Sequence, residues 1–586
     1  MTADHFLRRA GRRMTAGVSA VRAVFRARDE ELERRLLLSE RFHDVRLVPV
    51  LSLLWLVSAV TAVRDAGLLR ALVVVLLLGL ASGTLWGFVR SRKRAMPEPG
   101  RRGRGVGFTF GLAALVGLLG CGLGLGRTAD PAWRHLWAAA GSRQAVTVIA
   151  EISGHPEPLM PATDHGGGPG PDEPTTSADS FPCGHGCHFT AQLHRIRRAG
   201  DWLSLDVPVD VQCQTVCAGV RYGQTVQLIL RVRTRDGRPA VLSGTAVSKP
   251  RLVEAPSVFE NAVSHLRREF LLRSRSIPGE PGALLDGMVL GDRSRRSPES
   301  TAVMTTTGLT HLTAVSGANC SVVFASVVLV LRSWRVSRPV VMVLSLISLG
   351  MFGALVGPDS SVLRAVVMSA ASLVVMMGGH QSRGLPLLCV SASGLLLAEP
   401  WLAWDLGFAL SVVATAGILL AAQGLAQWLG QRMPYVVALG LSIPLAANLA
   451  CAPLLVLIQP QLTPYSLLAN ALTAPLVAPV TLLGTAALPL AVVPGPISGM
   501  LIGWAGMATW GIWSIAEGTS RLPGALLEWP PGVLGLATMA GFCCCQVGLL
   551  WLFAHPRAVA GFYRKIHARL RDGPRRPAPG VGGSGT

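Results

Sequence analysis

The chain has 586 residues, of which 50% are hydrophobic and only 15% are charged. This balance argues against a soluble protein and indicates a polytopic membrane protein. The formal net charge of +21 would point to nucleic acid in a soluble chain. In a membrane protein, however, much of it reflects the Lys/Arg bias of cytoplasmic loops.

The N-terminal part predicts a tail and three spanning helices. Residues 1–46 contain eleven arginines and seven acidic residues without a short apolar core, which indicates a cytoplasmic tail and not a cleavable signal. Apolar runs follow at 47–63, 68–89 and 106–125, each close to the roughly 20 residues that a spanning helix needs. The basic run 90–104 could bind nucleic acid or anionic lipid, but its position favours a cytoplasmic loop.

Residues 127–254 have a different pattern, in which apolar and polar residues alternate. The segments AVTVIAEISG, HFTAQLHRIR, WLSLDVPVDV and TVQLILRVRTR predict β-strands. About five short strands over this length suit a small barrel such as an OB-fold. The Gly/Pro-rich segment 154–180 is predicted to be an insertion within it, and the charge pattern places the whole β-rich domain outside the cytoplasm.

This domain contains four cysteines in two C-x3-C pairs. Because disulfides persist outside the cytoplasm, we expect disulfide bonds and no metal. A zinc site that uses the nearby His185 and His188 is the alternative, although the spacing is wider than in the usual zinc motif. The cysteines are Cys183, Cys187, Cys213 and Cys217, and the sequence does not give their pairing.

Residues 255–300 are predicted to form linking, amphipathic helices. In VFENAVSHLRREFLL, residues Phe259, Val263, Leu266 and Phe270 recur at helical spacing. Arg267, Arg268 and Glu269 are predicted to lie on other faces. Such a helix would lie flat on the outer membrane surface or pack on the β-rich domain.

Charged loops place the remaining spans and both termini. The fold class that we predict is a polytopic α-helical membrane protein of about 12 spans with an extracytoplasmic, β-rich, OB-like domain. The expected location is the cell membrane, with both termini cytoplasmic. The later spans are predicted at 321–331, 340–356, 362–377, 385–398, 406–422, 436–458, 467–493, 497–516 and 533–553. The span 467–493 is predicted to be discontinuous because of Pro475, Pro479 and Pro489 within it and Pro494 directly after it.

The stretch GLTHLTAVSGANC at 308–320 is unusually polar for an apolar chain. A lipid-facing helix would leave such groups without hydrogen-bond partners, which predicts the lining of a polar path through the membrane. The alternative is a helix start at the membrane interface, capped by Thr307 or Thr310.

Other polar residues in or near the spans extend this predicted path. Arg364 is our main candidate for contact with an anionic substrate, although it could instead form an ion pair with Asp359. Asp405 could simply cap a helix, and a backbone-bonded histidine is the simpler interpretation of His311. The predicted transport-path residues are His311, Ser316, Asn319, Asp359, Arg364, Asp405 and Asn470.

The segment TGLTHLTAVSG resembles the signature of the ComEC/Rec2 family of competence proteins, which import DNA. Four more stretches match the family in order, namely ALLDGMVLGDRS, PDSSVLRAVVM, WDLGFALSVVATAGI and PYSLLANALTAPLVAP. Together they cover about half of the chain. Many relatives have a histidine soon after the SG of the signature, whereas this chain has the sequence SGANC there. No role of that histidine can therefore be transferred to this chain.

This resemblance implies an inner-membrane channel that carries single-stranded DNA into the cytoplasm during natural transformation. It also implies an extracytoplasmic OB-like domain, whose arginines and aromatic residues would bind the strand. The resulting candidates for DNA binding are Arg195, Arg197, Trp202, Arg221, Tyr222, Arg231 and Arg233. Ordinary solvated arginines and core aromatics are the alternative interpretation.

The resemblance also sets the expected domains and partners. We expect a form that lacks the family's C-terminal metallo-β-lactamase-like domain. The expected protein partners are therefore a separate nuclease, a DNA receptor and a cytoplasmic ATPase. Single-stranded DNA and membrane lipid are the other expected partners, and a homo-oligomer is possible. No cofactor is predicted. The expected domains are the tail 1–46, the spans 47–126, the OB-like domain 127–254, the linking helices 255–300, the competence domain 301–555 and the tail 556–586.

Two other functions remain open at this stage. The chain contains no G-x4-G-K-[ST] loop and no metallo-β-lactamase metal motif, so we expect no enzyme. A carrier or flippase for another anionic substrate is the main alternative to the channel. A membrane hydrolase that uses His311, Ser316 and a carboxylate is the weaker one, because no nucleophile elbow or ordered triad accompanies these residues.

Overall fold

The computed structural model describes residues 47–63, 121, 130–158, 186–213, 221–234, 242–357, 360–377 and 384–554. Both predicted basic tails, the predicted span 68–89 and nearly all of the predicted span 106–125 lie outside the described residues. So do Cys183, Cys217, Asp359 and most of the predicted insertion 154–180.

The β-rich domain consists of helix α2 followed by seven strands. The four strands predicted from the sequence are confirmed as β1, β3, β4 and β5. Helix α2 spans Pro131–Ser142 and begins where the side chain of Asp130 accepts a hydrogen bond from the Ala132 N–H. The strands are β1 Ala145–Ile152, β2 Glu157–Pro158, β3 Cys187–Arg198, β4 Asp201–Cys213, β5 Thr225–Thr234, β6 Leu242–Ala246 and β7 Arg251–Glu254.

Five of these strands close into a ring. Strand β1 pairs antiparallel with both β3 and β5. Strand β3 pairs with β4, and β4 pairs in parallel with β6. Strand β6 then pairs antiparallel with β5, which completes the closed order β1-β3-β4-β6-β5-β1. Strand β7 extends the sheet from the first residues of β5, and among the described residues it pairs with no other strand.

The interior of this barrel is filled by the inward residues of the strands. Burial alternates along β1, where Val146, Val148, Ala150 and Ile152 point inward, as a two-residue period requires. Helix α2 contributes Trp133 and Leu136 to the same core. The barrel therefore has its own hydrophobic core and forms a distinct structural unit.

The other regular elements of the described chain are helices, apart from one short two-stranded sheet. Strands Gln461–Leu462 and Leu527–Glu528, labelled β8 and β9, pair antiparallel and tie together the two loops that contain them. The helices are α1 Val48–Val63, α3 Val258–Ser274, α4 Gly279–Leu290, α5 Pro298–Thr306, α6 Gly317–Ser333, α7 Arg338–Val356, α8 Ser360–Met377, α9 Gly384–Ala398, α10 Leu406–Gly430, α11 Tyr435–Ile458, α12 Ser466–Leu490, α13 Pro496–Ser520 and α14 Gly532–Ala554.

Several of these helices are suited to a membrane. Five described helices are long and apolar enough to cross a bilayer, namely α7, α10, α11, α12 and α14. Shorter apolar helices occur within α1, α6, α8 and α9. The chain is therefore a membrane protein with a β-rich N-terminal region, while the number of twelve spans remains a prediction.

The predicted break in the span 467–493 is wrong. Helix α12 is continuous from Ser466 to Leu490 although Pro475, Pro479 and Pro489 lie inside it. Each proline removes only one backbone hydrogen bond. The helix is packed closely against α13, and neighbouring helices allow a membrane helix to continue through such positions.

The barrel contacts the helical part at two places. Trp133 of α2 stacks on Trp401, which lies just before α10, with ring centroids 5.0 Å apart. At the other contact, His155 stacks on Tyr222 with centroids 4.6 Å apart. Tyr222 packs against the hydrophobic cluster of α3, α4, α12 and α13, so that α3 connects the barrel to the helices.

Candidate functional site

The polar signature stretch forms a turn between two helices. Helix α5 ends at Thr306, a 3-10 turn covers Thr310–Thr313, and α6 begins at Gly317. Gly308 has φ +69°, and a Cβ added there would lie 2.5 Å from the hydroxyl of Ser466 on α12. Glycine is therefore required at this position both by its backbone conformation and by the close approach of α12.

The threonines of this turn mainly satisfy the backbone. The hydroxyl of Thr307 donates to the Val303 carbonyl over 2.9 Å, and Thr313 donates to the Thr310 carbonyl over 2.6 Å. Thr310 donates to the Met304 carbonyl over 3.3 Å. The alternative interpretation, in which Thr307 or Thr310 caps the following helix, is not observed, because Ser316 is the N-cap residue of α6.

Thr310 and His311 are the accessible residues within the 3-10 turn. Leu309, Leu312 and Thr313 are buried, whereas Thr310 and His311 are exposed. The imidazole forms a hydrogen bond with the backbone of Gly308. The ring is thus anchored to the turn and still open to a solvent-accessible space, where it could meet a substrate.

Asn319 holds the signature turn against α4. Its side chain is 2% exposed, and its amide nitrogen donates to the Met288 carbonyl over 3.2 Å. Its amide oxygen accepts a hydrogen bond from the Ser316 hydroxyl over 3.1 Å. Opposite, a Cβ on Gly287 would come within 2.6 Å of the Thr313 carbonyl. Asn319 therefore supports the turn from behind and does not line an open path.

A buried arginine connects α3 with the ends of two other helices. Arg267 is only 5% exposed, and it donates to the Leu290 carbonyl at the end of α4 over 2.7 Å. It also donates to the Leu355 carbonyl at the end of α7 and lies 3.9 Å from a carboxylate oxygen of Asp292. We refer to Arg267 with these three partners as the arginine clamp.

The helical pattern of the sequence did not predict that Arg267 is buried. The helical pattern predicted Arg267 on an outer face of α3, whereas the buried residues are Val263, Arg267, Phe270 and Ser274. Phe259, which was predicted on the apolar face, is 49% exposed. The spacing of four residues between Val263 and Arg267 was the available signal, because residues four apart share a helix face.

A second ion pair braces the same region. The buried carboxylate of Asp286 on α4 accepts a hydrogen bond from Arg295 over 2.8 Å. Arg295 also donates to the Ile277 carbonyl, and Arg296 donates to the Thr313 carbonyl over 3.3 Å. Two successive arginines thus connect the loop after α4 to both the start of α4 and the signature turn.

Arg364 is buried between helices and does not face open solvent. It is 6% exposed, its Nε donates to the Ser411 hydroxyl on α10 over 2.8 Å, and its Nη1 lies 3.2 Å from the Met368 sulfur. Its helix α8 shares a hydrophobic cluster with Cys320 at the end of the signature. The guanidinium is therefore close to the signature, but movement of the helices would be needed for a substrate to reach it.

The remaining predicted path residues fall into different places. Asn470 on α12 donates to the Ser466 carbonyl over 2.8 Å, and Ser466 is the residue that contacts Gly308. Asp405 accepts a hydrogen bond from the Gly407 N–H over 2.7 Å as the N-cap of α10, which agrees with the capping alternative. Asp359 lies outside the described residues.

Several arginines lie together on the outer face of the barrel. Along β3, Arg195 and Arg197 alternate with the buried Ile196, and along β5, Arg231 and Arg233 alternate with the buried Val232. Strand β1 runs between them, because Ile149 pairs with Arg195 and Ala145 pairs with Arg231. The basic face is defined by Arg195, Arg197, Trp202, Arg231 and Arg233.

Acidic residues occupy the other half of the same surface. Glu151 pairs with His194 over 3.0 Å, and Asp206 accepts a hydrogen bond from Gln192 over 2.7 Å. The basic half is at the Ala145 end of β1. Its one aromatic residue, Trp202, is 37% exposed, with the guanidinium carbon of Arg197 6.0 Å from the ring centroid.

Two of the predicted DNA-binding residues lie elsewhere. Tyr222 belongs to the contact with α3, where burial raises the pKa of its hydroxyl. Arg221 is exposed beside it, at the end of the barrel away from the basic face. At that end, burial lowers the pKa of His155 to about 2, with a further contribution from Arg267.

The cysteine region is only partly described. Cys187 is disulfide-bonded, and its partner lies outside the described residues. Cys213 is its cross-strand neighbour in the β3–β4 ladder. No group of three or more His, Cys, Asp or Glu side chains that could hold a metal ion occurs among the residues that the structure describes.

Comparison with known proteins identifies the helical part. The family model described as "Competence protein" matches residues 288–554. These residues form a domain of the competence protein family. The match begins in α4 and continues to the end of α14, so it includes the signature turn and Arg364 but neither the barrel nor Arg267.

A curated relative is similar in sequence to part of this chain. "ComE operon protein 3" of Bacillus subtilis (strain 168) is 27% identical over 157 residues. The alignment covers 27% of this chain and 20% of the relative, so the chain matches about a fifth of that protein's length. No solved structure matches the chain significantly. Both comparisons thus relate the helical part of the chain to competence proteins.

Proposed function

We propose that the chain is a membrane channel that passes a single strand of DNA into the cytoplasm during natural transformation. The observation that carries this proposal is the competence domain at residues 288–554. It is joined to an extracytoplasmic barrel with a basic face. In this proposal both termini are cytoplasmic, and the β-domain receives the strand before the helices pass it on.

The strand order of the barrel supports its assignment as an OB-fold. The OB-fold is a five-stranded Greek-key barrel, and the ring β1-β3-β4-β6-β5 has five strands with one parallel pair, between β4 and β6. Such barrels bind single strands through a basic groove and stacking aromatic residues. Arg195, Arg197 and Trp202 on β3 and β4 provide both chemistries on the strands that an OB-fold uses for binding.

The signature turn is the proposed lining of the path. His311 is exposed whereas Leu309, Leu312 and Thr313 are buried, and Arg364 provides a cation close to the same turn. A phosphate backbone requires such donors and positive charges. We propose that His311 contacts the passing strand and that Arg364 becomes accessible when α8 and α10 separate.

Uptake of labelled DNA tests the whole proposal. Cells that lack the gene should not bring labelled DNA into the cytosol, and the wild-type gene should restore uptake. Unchanged uptake in the deletion strain, with no second copy of the gene present, would contradict the channel. A carrier of small anions would then become the better explanation.

Binding of single-stranded DNA to the purified full chain in nanodiscs tests the basic face. The variant Arg195→Gln/Arg197→Gln should bind more weakly. For this variant, the slope of log binding constant against log salt concentration should also be shallower by about 1.4, because each phosphate contact on a single strand contributes about 0.7 to that slope. The control is Arg198→Gln, which removes one charge at the next residue of β3, opposite Asp201, so the effects are compared per removed charge. Equal effects in both variants would contradict a specific role of the basic face.

A further inference from the structure

Exposed apolar residues cluster where the barrel joins α3. Leu252 and Val253 on β7 are 55% and 45% exposed. Val258 and Phe259, at the start of α3, are 89% and 49% exposed. We refer to these four residues as the membrane-side rim. Large contiguous apolar surfaces on a folded domain usually mark an interaction site.

The position of the rim follows from α3. Nine residues separate Val258 from Arg267, so the rim lies about 13 Å along the helix axis from the arginine clamp. Arg267 bonds the last turn of α7, which is one of the helices suited to cross a bilayer. The headgroup region of a bilayer extends roughly 5–8 Å beyond each side of the hydrocarbon core. With the end of α7 at the edge of the hydrocarbon core, the rim lies in the headgroup region when α3 is inclined by about 50° or more from the bilayer normal.

The charges around the rim fit a phospholipid surface. Lys249 and Arg251 are exposed on the segment that leads into β7. Of the two neighbouring acidic residues, Glu254 is exposed, whereas Glu260 accepts the Ser257 N–H in a capping box. Apolar side chains flanked by exposed Lys and Arg are the pattern of proteins that insert shallowly into anionic bilayers.

We propose that the membrane-side rim inserts into the headgroup region of the outer leaflet, with Lys249 and Arg251 against lipid phosphates. The rim thereby holds the barrel at a fixed height and tilt on the bilayer. The basic face, at the other end of β1, is then directed away from the membrane. This inference rests on the membrane location of the helices and on the extracytoplasmic barrel of the proposed function, and it does not depend on DNA as the substrate.

Photo-cross-linking in the full-length chain tests the proposal. A p-benzoylphenylalanine at position 259 should form adducts with phospholipid when the protein is reconstituted in vesicles. The control is the same residue at position 202. Trp202 is also a partly exposed aromatic residue, but it lies on the β3–β4 hairpin away from α3. Lipid adducts that form at 259 and not at 202, as measured by mass spectrometry, are the expected result.

Lipid charge provides the second readout. Adduct yield at 259 should increase when phosphatidylglycerol is added to phosphatidylcholine vesicles. The increase should weaken in Lys249→Gln/Arg251→Gln, because each basic residue near an anionic surface strengthens binding about fivefold. Equal lipid adducts at 259 and 202 would overturn the proposal. Adducts at 259 with a second protein would also overturn it and would identify β7 as an edge strand that pairs with a partner.

Discussion

His155 makes the contact between the barrel and α3 sensitive to acid. Its ring stacks on Tyr222, its Nε2 is buried, and burial together with Arg267 lowers its pKa to about 2. A Cβ added to Gly357, the residue directly after α7, would lie 3.9 Å from the His155 ring. We therefore expect His155 to stay neutral while the barrel is docked and to regain an ordinary pKa near 6.5 once the contact opens.

The sign and size of the effect follow from this difference. Above pH ~6.5 the histidine is neutral in both states, and the contact has its full stability. Below that value the open state binds a proton that the docked state excludes. Docking therefore weakens by about 1.4 kcal/mol per pH unit, which is roughly tenfold at pH 5.5. The loss continues until the pH approaches the docked value of about 2.

Hydrogen exchange at residues 221–224 and 257–263 measures the opening. The comparison variant His155→Phe keeps an aromatic ring against Tyr222 but cannot be protonated. Wild type and variant are compared at the same pH, so the intrinsic exchange rate cancels. Relative to the variant, the wild type should exchange about tenfold faster at pH 5.5 than at pH 7.5. His265→Phe, which removes an exposed histidine on α3, should behave like wild type. A wild-type to variant ratio that is the same at both pH values would refute the reasoning.

Three substitutions in the helical part follow from the same contacts. Arg267→Met should lower stability by about 2–6 kcal/mol in thermal unfolding, because the Leu290 and Leu355 carbonyls each lose a buried donor worth about 1–3 kcal/mol. The exposed Arg275→Met should change stability little, and similar losses in both variants would contradict the role of the clamp. Gly308→Ala should cost about 1–3 kcal/mol for its positive φ alone, and full stability in that variant would show that the turn relaxes. Arg364→Ala should lower DNA uptake at a normal protein level; unchanged uptake would remove Arg364 from the path.

The β-rich part could be predicted from the sequence because its signal is local. Alternation of apolar and polar residues identifies β1, β3, β4 and β5, since a strand with one buried face repeats every two residues. The closed strand order could not be predicted in the same way. The parallel pairing of β4 with β6 joins segments that are separated along the chain, and it depends on the packing of the whole barrel.

The errors in the helices have a common origin. Arg267 was predicted on a face other than the apolar one because single-residue hydrophobicity does not include buried carbonyl partners. In this case those partners are the ends of α4 and α7. The prediction of a break in α12 is wrong for a similar reason, since packing against neighbouring helices compensates for the hydrogen bonds that the prolines remove. In both cases the deciding interaction comes from another helix, and a pattern confined to one segment does not contain it.

The signature illustrates how far residue type indicates a role. Its polar residues predicted a path, but the hydroxyl of Thr307 donates to a carbonyl of α5, that of Thr313 donates to a carbonyl of the turn, and Asn319 braces α4. His311 keeps an accessible side chain, so it is the candidate within the turn that is free to contact a substrate. Spacing alone could not separate the bracing residues from the accessible one, because both kinds are polar and alternate within a few positions.

The supports of the signature also connect it with the barrel. Helix α3 contacts the barrel at its start, where a Cβ on Gly223 would meet Glu260, and nine residues after Val258 it holds the ends of α4 and α7 through Arg267. The Met288 carbonyl that Asn319 binds lies in the last turn of α4. A displacement of the barrel would therefore reach the turn that carries His311 through one helix and two buried side chains. A strand bound on the basic face, under the proposed function, has a short physical route to the signature, and Arg267 is the position at which breaking that route would separate DNA binding from transport.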